Sequence, residues 1–167
     1  MQLPIHLITG IMIELSINTM IAPSNPLNPV FVMIFAFGSH FILDPLAKAT
    51  YHPSQRLDTK FWLYWHMFVF ITGLVIMAVF IWKYFLGMFF ANLVDIWDWL
   101  FLRETAKRKR DPDWGRKYYL HPFADKIRSK FFFWLPNLNY KQIGILPELI
   151  FITIWSIFVL LFPEVFF

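Results

Sequence analysis

The chain has 167 residues, of which 58% are hydrophobic and 21% aromatic, and its formal net charge is +4. This length suits one domain, and the hydrophobic fraction exceeds the ~45–50% of soluble domains, so we interpret residues 1–167 as a single polytopic membrane domain. The sequence contains no cysteine, which excludes disulfides, thiolate metal sites and cysteine nucleophiles.

Apolar segments of membrane-spanning length recur along the chain, since ~20 helical residues cross a bilayer. Prolines at 23, 26 and 29 separate the first segment from the second, because proline breaks a helix internally and is tolerated at its start. The predicted spans cover 3–21, 30–46, 61–82, 84–102 and 147–162. The sequence thus predicts an all-α integral membrane protein with about five transmembrane helices.

The stretch over 61–102 needs an interruption, because it is too long for one span. Lys83 and Tyr84 suit a membrane interface and lie near its middle. We therefore predict a tight hairpin at these two residues. One long, tilted helix is the alternative.

The loop over 103–144, between the fourth and fifth spans, carries most of the charge. Residues 103–130 include ten Lys or Arg and four acids, and loops rich in Lys and Arg stay on the cytoplasmic side. We therefore place this basic loop and the N-terminus in the cytoplasm. The run Lys107, Arg108, Lys109, Arg110 is typical of clusters that bind anionic lipid headgroups, although topology-setting charge explains it as well. Nucleic-acid binding is disfavoured, because the run is short and begins at the membrane.

Two pairs of ionisable residues lie inside predicted spans at helical spacing. His40 and Asp44 are four residues apart, and Asp95 and Asp98 are three apart, so each pair lies on one helix face. Such groups cost at least ~2.5–3.5 kcal/mol each in hydrocarbon, and both pairs fall near the cytoplasmic ends of their spans. Because metal sites in helical bundles use inward-facing carboxylates and imidazoles, we hypothesise a divalent metal site with Zn, Mn or Fe.

Further histidines could join this site. His6 lies at the cytoplasmic end of the first span and could add an imidazole. His52 and His121 lie in cytoplasmic loops, and His121 has the weaker case, because a loop histidine before a proline is more often neither ligand nor acid. His66 and Glu14 are better explained as structural groups. Taken alone, each of these ionisable residues is also explained as a polar group at the end of a helix that binds no metal.

Three short motifs carry a resemblance to a known family. They are HLITG at 6–10, GSHFILD at 38–44 followed by YHP at 51–53, and NLVDIWDW at 92–99. In this order they resemble a family of small bacterial and archaeal membrane proteins described as membrane-bound, metal-dependent hydrolases, with an early His-x-x-x-Gly, then SHxxxD, then DxxD. The resemblance implies an inner-membrane location and the site residues His6, His40, Asp44, Asp95 and Asp98.

Two functional hypotheses follow. The first is a metal-dependent hydrolase at the cytoplasmic leaflet, acting on a phospholipid or another lipid phosphate, because a metal with an open position activates water. Its catalytic residues would be His40, Asp44, Asp95 and Asp98. The second is a non-catalytic subunit or assembly factor, as a homo-oligomer or in a larger membrane complex, whose polar pairs hydrogen-bond between helices. The sequence has no haem or nucleotide motif.

Overall fold

A computed structural model describes residues 3–53 and 57–166, apart from the side chains of residues 164 and 165. The protein is all-helical, with 79% of residues in helices and no strand within these described ranges. Among the described residues, four helices are long and apolar enough to cross a membrane. This confirms the predicted all-α class and fits a multi-pass membrane protein.

The elements follow the order of the predicted spans. The helices are α1 Leu3–Met20, α2 Leu27–Leu46, α3 Lys60–Ala91, α4 Leu93–Asp95, α5 Arg103–Lys109, α6 His121–Phe131, α7 Leu146–Leu161 and α8 Pro163–Phe166. A π-helical segment, Ile96–Leu102, joins α4 to α5, and 3-10 turns cover Ala47–Ala49, Arg116–Tyr118 and Gln142–Ile145. The bounds of α1, α2 and α7 agree with the predicted spans to within three residues.

One buried asparagine holds the turn between α1 and α2. The side-chain amide of Asn28 donates to Asn18 Oδ1 at 3.0 Å and to the carbonyl of Ile21 at 2.7 Å. These bonds join the end of α1 to the start of α2, so the two helices run antiparallel. His6 near the start of α1 therefore lies level with His40 near the end of α2.

Helix α3 is interrupted at Tyr84, whose φ of −125° and ψ of 34° are not helical. Leu3 contacts the position of Gly73 before this kink, and the same leucine borders a cavity with Leu100 beyond it. Along a straight helix Gly73 and Leu100 would be about 40 Å apart, which one leucine cannot bridge. The contacts therefore favour the predicted hairpin over one long helix, while the number of membrane crossings stays a prediction.

The arm of α3 that follows Tyr84 packs tightly against α1. Gly10 and Gly87 meet backbone to backbone, and a Cβ on Gly10 would lie only 2.3 Å from the Gly87 carbonyl oxygen. The Gly87 N–H donates to Glu14 Oε2 at 2.7 Å, and it belongs to the first turn after the kink, where N–H groups lack helical partners. Glu14 is therefore a structural residue that caps this arm.

Apolar packing fixes α1 and α3 relative to each other. The main cluster joins α1 to both arms of α3, to α7 and to α8, through Leu7, Ile8, Ile11, Ile76, Phe80, Tyr84, Met88, Trp155 and Phe166. Between helices in lipid, such close van der Waals contact is the main source of attraction. The packing holds His6 on α1 close to the segment that follows α3, where Asp95 lies.

Candidate metal centre

Four elements bring five ionisable side chains to one point. His6 comes from α1, His40 and Asp44 from α2, Asp95 from the end of α4 and His121 from the start of α6. His6 and His40 have no exposed surface, and Asp44 retains 7% of its surface. The described residues form two triads suited to a metal ion, His6–His40–Asp95 and His40–Asp44–His121, with ligand atoms within 4.8 Å of one another.

His40 offers a single nitrogen to this centre. Its Nδ1 lies 2.9 Å from the carbonyl oxygen of Ala91, and because a carbonyl only accepts, Nδ1 carries the proton. Metal-binding histidines usually make such a bond with their other nitrogen. Since Nε2 is the nitrogen that remains and both triads include His40, the two triads describe one centre rather than two.

Imidazole nitrogens surround the Asp44 carboxylate at the spacing of ligands in a coordination shell. His6 Nε2 is 3.3 Å from Asp44 Oδ1, and the Nε2 atoms of His40 and His121 are each 3.2 Å from Oδ2. Two ligands ~2.0–2.1 Å from a tetrahedral ion would be about 3.4 Å apart. The three nitrogen–oxygen separations are therefore close to the distance between two ligands of one tetrahedral ion.

Buried nitrogens without hydrogen bonds support the same interpretation. Both ring nitrogens of His6 and Nε2 of His40 have no hydrogen-bond partner of good geometry among the described residues. The two rings stack with centroids 4.3 Å apart and planes 16° from parallel. Because unsatisfied buried polar atoms are rare and costly, a cation coordinated by these Nε2 atoms fits the residues present.

His121 is held in place by Asp98 from the side opposite to the centre. Asp98 has no exposed side-chain surface, and its Oδ2 accepts from His121 Nδ1 at 2.7 Å and from the His121 N–H at 2.9 Å. The Leu120 N–H also donates to this carboxylate. His121 Nε2 then faces Asp95 Oδ1 and Asp44 Oδ2, each at 3.2 Å. This is the carboxylate–histidine arrangement that orients metal ligands.

The π-helical segment Ile96–Leu102 separates the roles of Asp95 and Asp98. In a regular α-helix two residues three apart share a face, and the sequence therefore predicts both aspartates as ligands. A π-helix has a wider turn, closed by i→i+5 bonds. Asp95 consequently faces the centre with 34% of its side chain exposed, while Asp98 contacts His121 and belongs to neither triad.

Charge dominates the environment of His121. Burial alone would lower the pKa of its imidazole, but the neighbouring carboxylates of Asp44, Asp95 and Asp98 outweigh burial and raise that pKa to about 10. In the absence of a metal the imidazolium therefore neutralises part of this acidic cluster. A metal ion bound to Nε2 would have to displace that proton.

Two adjacent cavities border the centre. The narrow cavity, of about 340 Å³, is bordered by Asp44, Asp95 and His121, with His52, Arg103 and Arg128 around them. The wide cavity, of about 840 Å³, lies beside α5 and shares Trp99, Arg103 and His121 with the narrow one. Asp95 and His121 are therefore open to an entering molecule, whereas His6 and His40 lie beneath them.

The remaining residues considered from the sequence occupy other places. His66 stacks on Trp62 and its Nδ1 bonds to the Trp62 carbonyl at 2.8 Å, away from the centre. His52 is exposed and borders the narrow cavity. Within the basic run, Lys107 pairs with Glu104, and both Lys107 and Arg110 border the wide cavity. Binding of a lipid headgroup by the four charges of this run stays a prediction.

His121 is the member of the cluster that the sequence ranks lowest. It is separated from Asp98 by 22 residues of helix and loop, so no helical spacing links it to the other ligands. Its one local signal is Pro122, which follows it in the first turn of α6, where proline favours a helix start. To place the His121 side chain from the sequence, one would have to predict that α6 packs against the end of α2.

Comparison with models of protein families, with curated proteins and with solved structures finds no match to this chain. The resemblance to membrane-bound hydrolases stays a prediction.

Proposed function

We propose that this chain is a membrane-embedded, metal-dependent hydrolase that cleaves an ester or phosphoester bond of a lipid at the cytoplasmic leaflet. One observation carries the proposal: three imidazoles and two carboxylates from four elements converge, with Nε2–Oδ separations of 3.2–3.3 Å, beside an open cavity. A divalent ion in such a site supplies a Lewis acid and lowers the pKa of a bound water.

The residues divide into a buried and an open side. His6 and His40 lie deepest and would hold the ion together with Asp44, which borders the narrow cavity at its inner end, and His40 is fixed by the Ala91 carbonyl. Asp95 and His121 border the narrow cavity, so they meet the substrate as well as the ion. Asp95 is our candidate for the group that takes a proton from the attacking water. Asp98 positions His121 and touches no reacting atom.

The same geometry supports a location of the site at the inner leaflet. The metal centre lies among helices of spanning length, and the basic loop begins directly beside it at Arg103. Loops with this excess of Lys and Arg are cytoplasmic, so the cavities would open at the inner leaflet. A substrate arriving from the membrane would then reach the centre without crossing the bilayer.

The proposal is tested by lipid hydrolysis in vitro. Protein purified in mild detergent would be incubated with mixed micelles that contain phospholipids and lipid phosphates, and released products would be identified by mass spectrometry. We expect turnover that EDTA abolishes and a divalent metal restores. Asp44→Asn should abolish it, because an amide binds such ions far more weakly than a carboxylate, whereas His66→Ala should retain it.

The same assay separates the hydrolase from an accessory subunit. An accessory subunit would release no product with any micelle, and its Asp44→Asn variant would fold and assemble as the wild type does, because asparagine preserves most hydrogen bonds. Metal-dependent turnover that disappears in Asp44→Asn supports the hydrolase.

A further inference from the structure

We propose that the substrate is a phosphate-bearing membrane lipid bound in two parts, its headgroup beside Arg103 in the narrow cavity and its hydrocarbon chain in an apolar groove beyond Leu3. That the bound lipid is hydrolysed rests on the proposed function. That it binds here is argued from the residues that border the two cavities.

Arg103 is the cation best placed to meet an anionic headgroup. Three of the other basic residues at the cavities have carboxylate partners, since Lys107 pairs with Glu104, Arg116 with Asp113 and Arg128 with Asp125. Arg110 borders the wide cavity alone. Arg103 forms no ion pair with a described residue, borders both cavities, and lies 5.3 Å from the centre of the Trp99 ring. Its guanidinium is thus free to form the bidentate bonds that phosphate favours.

The apolar groove lies on the other side of Leu3. It encloses about 310 Å³ between α1 and the two arms of α3, and every residue that borders it is apolar except Asn92. Its borders include Leu7, Ile81, Phe85 and Leu100. Phe85 and Leu100 are 54% and 65% exposed, so the groove opens outwards where a bilayer would surround the helices.

The groove and the narrow cavity are neighbours. Leu3 borders both of them. On the segment after α3, Asp95 and Trp99 border the narrow cavity, while the residues directly after them, Ile96 and Leu100, border the groove. The two sites therefore occupy adjacent faces of the same helical turns.

This arrangement selects a lipid over a soluble phosphate. A soluble ester would use the polar side alone and leave the groove empty, whereas an amphiphile fills both sides with matched chemistry. The charged group beside Arg103 would lie next to Asp95 and His121 at the metal centre. The bond to be cleaved would then be at the headgroup, and the chain would serve as the anchor.

Binding is measured on metal-free protein, so that the result does not depend on hydrolysis. Full-length chain in detergent with EDTA would be titrated with radiolabelled dioleoyl phosphatidic acid in mixed micelles and followed by scintillation proximity. Dioleoylglycerol lacks the phosphate, and inorganic phosphate lacks the chain; both serve as competitors. The variants are Arg103→Gln for the headgroup and Leu100→Trp for the groove.

Each variant has a matched control. Arg108→Gln removes an exposed charge from the same helix, away from both cavities. Leu74→Trp adds the same bulk at an exposed position of α3 that does not border the groove. Thermal unfolding of every variant shows whether it is folded.

We expect Arg103→Gln to weaken phosphatidic acid binding about tenfold, the size of a lost charge-assisted contact, and to leave dioleoylglycerol binding unchanged. Leu100→Trp should weaken the binding of both lipids, and the two controls should match the wild type.

Equal losses of binding in Arg103→Gln and Arg108→Gln would overturn the headgroup site, since only surface charge would then matter. Inorganic phosphate that competes as well as the lipid, or wild-type binding by folded Leu100→Trp, would overturn the groove. Lipid binding without turnover would retain this site and reject the hydrolase.

Discussion

Asp98 and His121 form the most closely bonded pair of the site at the scale of single residues. Both carboxylate oxygens of Asp98 accept hydrogen bonds, from the ring and N–H of His121 and from the Leu120 N–H. A carboxylate can accept all of these bonds, whereas an amide must direct its NH₂ group towards one of the donors. The orientation of His121 thus depends on a residue that faces away from the centre.

Replacing Asp98 should therefore weaken metal binding. We expect Asp98→Asn to lower the affinity for Zn²⁺ about 10–100-fold, the usual cost of losing such an orienting partner, measured by competition with a fluorescent chelator. Asp113→Asn is the control, because the Asp113 side chain is 75% exposed and pairs with Arg116 on the surface. Unchanged affinity in folded Asp98→Asn would show that His121 is not a ligand.

The raised pKa of His121 predicts how stability depends on pH. The folded metal-free protein holds this proton up to a pKa of about 10, against 6.5 for an ordinary histidine. The stabilising contribution is therefore complete below about pH 6.5 and is lost as the pH rises towards 10. We expect the difference in unfolding midpoint between wild type and His121→Gln, both in EDTA, to shrink over this interval. A difference that stays constant or grows would contradict the ion-pair account.

At the scale of elements, the close contact between α1 and α3 depends on two glycines. A Cβ on Gly87 would lie 2.1 Å from the Gly10 carbonyl oxygen, and a Cβ on Gly10 would lie 2.3 Å from that of Gly87. Backbone atoms cannot move aside as a flexible side chain can. Both glycines are therefore required if α1 and α3 are to pack at this short distance.

Alanine at Gly10 or Gly87 should destabilise the protein by about 1–3 kcal/mol, the usual cost of overpacking. Circular dichroism of the thermal transition in detergent measures this loss. Gly38→Ala is the matched control within α2, because a Cβ there meets nothing within 4 Å, and alanine favours a helix by up to about 1 kcal/mol. Gly10→Ala as stable as Gly38→Ala would show that the two helices are not in contact at this point.

The sequence predicts the long helices well and the path between them poorly. Spans α1, α2 and α7 follow from hydrophobic length and proline positions, and Lys83 with Tyr84 marks the kink in α3. The π-helical segment could not be predicted, because nothing in IWDWLFL distinguishes it from α-helix. That segment decides which aspartate faces the centre.

At the scale of the whole molecule, the sequence predicts the site residues only where they share one helix or lie on helices that pack together. His40 and Asp44 share one helix, and His6 and Asp95 join them because α1, α2 and the end of α3 pack together. The fifth member, His121, depends on the fold of the loop after α5, and its position is set by tertiary contacts such as the bond from Arg128 Nη2 to the Asp44 carbonyl at 2.9 Å.

The number of membrane crossings can be measured with single cysteines, because the chain has none of its own. We expect Lys109→Cys to react with an impermeant maleimide from the cytoplasmic side, and Ser24→Cys and Lys83→Cys from the opposite side. Inside-out and right-side-out vesicles distinguish the two. Labelling of Lys83→Cys and Lys109→Cys from the same side would show that the segment after Tyr84 does not cross the bilayer.

Metal content tests the central claim most directly. Protein purified in mild detergent would be analysed by inductively coupled plasma mass spectrometry beside His40→Ala and the control His66→Ala, whose histidine lies away from the centre. We predict about one equivalent of Zn, Mn or Fe per chain in the wild type and in His66→Ala, and its loss in folded His40→Ala. Equal, trace amounts of metal in all three folded proteins, even after incubation with each ion, would contradict the metal centre and favour a non-catalytic membrane subunit.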